Sequence, residues 1–151
     1  LWGVSKDQHT VTFEILSKNI HPADLERVRS AFAATRAVVG SYEIDFRILS
    51  GNDVRWISAR GQGDDADIAD RVMFGIFLDV TGRTAKRLLE LSDGADEFLL
   101  PLTQEELAGM VGASRERVNK AISSFIRLGW IDQSDRRYRI VQRDRLALRA
   151  R

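Results

Sequence analysis

The sequence predicts an α+β protein in two modules: an antiparallel sheet with helices against it, then a helical domain carrying a hairpin. Three observations carry this prediction. Tyr42, Ile44, Phe46 and Ile48 alternate with Glu43, Asp45 and Arg47, the period of two that gives a strand one wet face. After Thr81 the apolar period lengthens to that of a helix, with Ala85, Leu88, Leu89 and Leu91 on one stripe. Charge shifts at the same place, since residues 1–82 carry a net −3 and residues 83–151 a net +4, with +7 from Ala113 onward. The whole-chain value of +1 hides that basic end. The boundary is placed near 82, giving modules 1–82 and 83–151.

In the first module, "HPADLERVRSAFAATRAVVG" predicts a helix. Leu25, Val28 and Phe32 recur at helical spacing, Pro22 suits a first turn, and Gly40 suits a stop. "SYEIDFRIL" is the first strand and "GND" at 51–53 the turn after it. "VRWISARG" follows, with Val54, Trp56 and Ser58 on one side. "RVMFGIFLDV", apolar on both sides, is expected to be a central strand. Trp56, Phe46, Phe74 and Phe77 could line a pocket, although such residues on alternating strands are more often plain core.

No metal or cofactor is expected. Cysteine is absent, which excludes disulfides, thiolate nucleophiles and cysteine zinc sites and is compatible with a reducing cytoplasm. His9 and His21, the two histidines, read as surface or capping residues. "DDADIAD" reads as a solvated loop, because it lacks the glycine and terminal Glu of a calcium loop. No nucleophile–base pair, phosphate loop or carboxylate dyad marks an enzyme. The apolar run "VMFGIFL" falls far short of the roughly 20 residues that a membrane helix needs, so a soluble, cytoplasmic protein without membrane contact is expected. The chain opens at Leu1 rather than at a methionine, so it reads as a piece of something longer.

In the second module, Thr103 with Glu106 three residues on is a capping box, and Leu102 with Leu107 is the matching hydrophobic staple. A helix starts there and stops at Gly112. Ser114 then caps a second helix that runs to about Leu128 and ends at Gly129. On it Val118, Ala121, Ile122 and Phe125 define the buried face, so Arg115, Glu116, Asn119 and Lys120 project together from the other. Arginines in a first turn oppose the helix dipole, and something outside the helix must suit them. Duplex DNA does: Arg or Lys pairs with guanine O6 and N7, and Glu accepts from cytosine N4. Beyond Gly129, "WIDQSDRRYRIV" alternates Tyr138 and Ile140 with Arg137 and Arg139 around a polar turn, as in a two-stranded hairpin. "RDRLALRAR" closes the chain as a short helix or frayed tail whose arginines are expected on the solvated surface.

"LTQEELAGMVGASRERVNKAISSFIRLGWI" resembles the winged helix-turn-helix DNA-binding domain of the Crp–Fnr (cyclic-AMP receptor protein) family, from about Asp79 to the C-terminus. The resemblance implies that Arg115, Glu116 and Lys120 read bases, with Asn119 a further candidate on the same face. It implies phosphate contacts for Thr103, Gln104, Ser114 and Arg117, and for Arg137 and Arg139 on the wing, where solvation of the hairpin arginines, Arg136 included, is the plainer alternative. "IHPADLERV", "YEIDFRIL", "VRWISARG" and "GIFLDVTGR" resemble, in that order, the C-terminal part of a PAS domain, which implies sensing or dimerisation. A full PAS sheet has five strands, and the two N-terminal ones are missing here, so the sheet is incomplete. The family's nucleotide-binding β-roll and long dimerisation helix are also missing, leaving 82–92 as a linker helix.

The expected function is therefore a sequence-specific transcription regulator, a homodimer on double-stranded DNA, with RNA polymerase as a candidate partner. The alternative is a PAS-containing signalling or interaction module whose winged helix does not bind DNA.

Overall fold

The computed structural model describes residues 11–37, 40–63 and 73–151. His9, the 64–70 acidic loop and the side chain of Phe74 lie outside the described residues. The chain divides into two compact units, Leu1–Leu78 and Asp79–Arg151. The break falls at 78/79 rather than 82/83 because Asp79 already belongs to the second unit as a helix cap, its Oδ1 accepting the Gly82 N–H at 2.8 Å.

In the first unit, α1 (Phe13–Ser17) is a short helix capped by Thr12. It leads to α2 (Pro22–Ala37), β1 (Ser41–Ser50), β2 (Asp53–Gly63) and β3 (Met73–Asp79). Pro22 opens α2, and His21 caps it, Nδ1 accepting the Ala23 N–H at 3.2 Å. β1 and β2 form an antiparallel hairpin through Gly51 and Asn52, with Gly51 in the left-handed region at φ 62°. Their register places Tyr42, Ile44, Phe46 and Ile48 on one face with Ile57 and Ala59, where Val28 and Phe32 of α2 complete the core. Phe32 meets Tyr42 edge-on, with 4.8 Å between ring centroids.

One sequence expectation changes here, and one alternative that the sequence left open is removed. β3 is not central: the sheet order is β1-β2-β3, so β3 is an edge among the described residues, and its Ile76 is 67% exposed. An apolar run reports a surface that wants cover on both faces, not which strand supplies hydrogen bonds to its sides. Nor do Trp56 and Phe46 share a pocket. Residues 46 and 57 pair across the hairpin, which sends Phe46 to the helix-covered face and Trp56 to the other, over Arg47 at 5.7 Å.

The second unit begins with α3 (Val80–Ser92), whose buried stripe is Val80, Thr81, Thr84, Ala85, Leu88 and Ser92. Leu89 and Leu91 are only half-buried. α3 packs on α4 (Gln104–Val111), α5 (Arg115–Arg127) and α6 (Arg143–Arg149). Gly82 permits the last contact, since a Cβ there would stand 3.1 Å from the Arg149 carbonyl oxygen. The capping box on α4 is present in full, and Gly112 ends that helix at φ 76°.

The hairpin β5 (Ile131–Ser134) and β6 (Arg137–Ile140) is joined by β4 (Glu97–Leu99) in the order β4-β6-β5. The wing thus has three strands where the sequence suggests two. The core beneath is Leu107, Val111, Val118, Ile122, Phe125, Trp130, Ile131, Tyr138 and Leu146. The tail is helical as α6, and one of its arginines overturns the expectation of a solvated surface. Arg149 is 2% exposed, with its guanidinium 5.1 Å from the centre of the Trp130 ring.

Candidate nucleic-acid interface

α5 forms where the sequence predicts it: Ser114 caps it, its Oγ accepting the Arg117 N–H at 3.4 Å. Val118, Ala121, Ile122 and Phe125 are buried, and that choice of inner face sends Arg115, Glu116 and Lys120 outward. Arg117 and Asn119 are half-buried at the margins. Glu116 and Lys120, one turn apart, form an ion pair at 2.7 Å. That hydrogen bond holds the Glu116 carboxyl below its ordinary range, so it stays an acceptor at neutral pH. The pair is exposed on both sides, and such pairs are worth little in water, so either group can turn to another partner.

The other predicted contacts come from three places in the unit. Thr103 and Gln104 sit at the start of α4, Ser114 at the start of α5, and Arg137 and Arg139 on β6. Thr103 is committed to its cap: its N–H and its hydroxyl both donate to Glu106 Oε2, at 2.7 and 2.8 Å. Ser114 receives one hydrogen bond at its oxygen, which leaves its O–H to give. Gln104, Thr103 and Arg115 line one open cleft of about 480 Å³ with Tyr138 and the turn residues Asp135 and Arg136. The starts of both helices and the tip of the wing therefore surround a single hollow.

Strand alternation buries Tyr138 and Ile140 and exposes Arg137 and Arg139. Both arginines meet one carboxylate, Glu97 of β4, at 2.9 and 3.4 Å. They hold Glu97 below the usual carboxylate range. Arg136 instead donates to the Leu100 carbonyl at 3.2 Å.

Sequence reasoning missed one participant, Glu97, and one link, made by Gln104. Glu97 lies in a three-residue strand among acids and glycine, where no period is visible. Gln104 Oε1 accepts from Arg115 Nε at 3.3 Å and from Asn119 Nδ2 at 3.1 Å. That link crosses between helices, and only the short turn at Gly112, which folds α4 back beside α5, hints at it.

Among the described residues no three His, Cys, Asp or Glu gather as a metal site would require, and no helix is long and apolar enough to cross a membrane.

Two family models match the chain. Residues 82–150 match the family model of the Crp-like helix-turn-helix domain, and residues 1–74 match that of the PAS fold. A PAS-type domain therefore precedes a Crp-like helix-turn-helix domain. A CRP-like cAMP-activated global transcriptional regulator of Mycobacterium tuberculosis is 38% identical over 128 residues, covering 80% of this chain. The chain spans 55% of that relative's length. The sensor protein FixL of Bradyrhizobium diazoefficiens is 34% identical over 83 residues, covering 53% of this chain and 16% of its own. Among solved structures, a CRP/FNR-family transcriptional regulator from Thermus thermophilus is 30% identical, with a TM-score of 0.43. That match covers 48% of this chain and 41% of the other.

Proposed function

We propose that this chain is a sequence-specific DNA-binding transcription regulator in which a PAS-like sensory or dimerisation module acts on a winged helix. The observation that carries the reading is the outer face of α5, where Arg115, Glu116 and Lys120 stand exposed opposite the buried Val118, Ala121, Ile122 and Phe125. Arg115 and Lys120 suit guanine, and Glu116 suits the amine of cytosine, with Asn119 beside them. An acid on this face lowers affinity for phosphate in general and is repaid only by a base that donates to it. Gln104, Ser114, Arg117, Arg137 and Arg139 hold phosphates on this reading, and Thr103 lies at the same place with its hydroxyl already engaged. The +7 charge from Ala113 onward supports a polyanionic partner.

The chain acts as a homodimer, because one recognition helix reads few base pairs and two-fold pairing doubles the site across one helical turn. RNA polymerase is the partner through which such binding would alter transcription. The first module contributes the C-terminal part of a PAS sheet, and α3 is the element through which a signal is passed on, since it packs on both α4 and α5.

Selection of bound duplexes from a random library, followed by titration of the best one with salt, tests the reading. A palindromic preference and affinity that falls steeply with salt are expected. Absence of salt-sensitive binding to any duplex would favour the alternative, a winged helix used only for protein contact.

A further inference from the structure

We infer that Gln104 is a specificity-setting residue that holds Arg115 and Asn119 in a fixed posture before any duplex arrives; the inference rests on the DNA reading above. One oxygen does this. Gln104 Oε1 accepts from Arg115 Nε and from Asn119 Nδ2, residues one helical turn apart on α5. Gln104 is itself fixed, because it is the first residue of α4, directly after the Thr103 of a complete capping box.

The chemistry follows from which atoms remain. With Nε donated to Gln104, the two terminal nitrogens of Arg115 stay free, and they form the fork that meets guanine O6 and N7 end-on. Asn119 has given one amide hydrogen to the same oxygen and keeps its own Oδ1 as an acceptor. An exposed arginine would otherwise sample many rotamers and lose that freedom on binding; holding one of them in advance lowers the entropic cost of reading the right base. Of the two amide hydrogens of Gln104, one faces the Tyr138 hydroxyl and the other is left for a phosphate. Its two ends thus couple the grip on the backbone to the aim of the base-reading side chain.

The substitutions Gln104→Ala and Gln104→Glu separate the two ends. Alanine removes both, while glutamate keeps the accepting oxygen and replaces the phosphate-facing donor with a negative charge. In duplex selection with the full chain, Q104A is expected to relax discrimination at one base position by roughly tenfold. Q104E is expected to weaken binding to every duplex while keeping the preference. In the free protein, exchange of the Arg115 Nε hydrogen with water, read by NMR, should quicken in Q104A and stay slow in Q104E. If Q104A weakens all duplexes alike, or leaves that exchange unchanged, while the unaltered chain selects a site, the inference is overturned and the DNA reading stands. If the unaltered chain selects no site, both fall.

Discussion

Asp24, the first acid of α2, grips Arg47 of β1 through three hydrogen bonds. Oδ2 accepts the Arg47 backbone N–H at 2.9 Å and its Nε at 2.8 Å, while Oδ1 accepts Nη2 at 2.8 Å. The pair pins helix to sheet at a buried carboxylate whose pKa falls from the ordinary 3.8 to about 2, chiefly through the side-chain hydrogen bond from Arg47. A depressed pKa means that the unfolded chain takes up the proton first on acidification. The stabilisation, on the order of 2 kcal/mol, is therefore full above about pH 5 and is lost as pH falls toward 2. Asp24→Asn should cost about 1.5–3 kcal/mol at neutral pH, and its deficit should shrink on acidification. Urea unfolding followed by circular dichroism from pH 7 to pH 2 checks both statements; a deficit that does not change with pH would show that the charge contributes nothing.

Arg149 and Trp130 form the matching pin of the second unit. Replacing Arg149 with alanine removes both the cation over the ring and the buried aliphatic stem, at a cost of about 2 kcal/mol. Arg149→Met, which keeps the stem, should recover part of that loss in thermal melts. Full recovery would mean that packing alone holds the helix end.

On the wing, Glu97 occupies the two arginines assigned to phosphate. Glu97→Gln should raise affinity for any duplex by roughly two- to five-fold, the scale of an exposed ion pair, without changing which sequence is preferred. Fluorescence anisotropy on a preferred and a scrambled duplex reads both effects. A change in preference would place Glu97 at the bases instead.

Arg115→Ala and Glu116→Ala should each cost about 1–3 kcal/mol on the preferred duplex and relax one base position. Lys120→Ala should act in the same way at a third. Equal weakening across all duplexes would move these residues to the phosphate backbone.

Much of the second unit was readable in advance because its signals are local. A capping box spans four residues, Gly112 announces its own left-handed conformation, and the inner face of α5 repeats within one helix. Side-chain alternation likewise revealed β1. What escaped was tertiary. The position of β3 in its sheet depends on neighbours that a pleat pattern does not name. β4 is too short to show a period and finds its register only against β6, with Phe98 opposite Tyr138. Arg149 looks like any surface arginine until α6 folds over Trp130. Gln104 reaches Arg115 only because the turn after Gly112 brings two helix starts together.

The central place of β6 has a mechanical consequence. A two-stranded ribbon twists and bends in solution, whereas a strand bonded on both sides is held by two ladders, and its arginines ride on a stiffer plate. Clamping such a plate against a polyelectrolyte immobilises side chains but freezes little backbone, so the wing should lose scant configurational freedom when it docks.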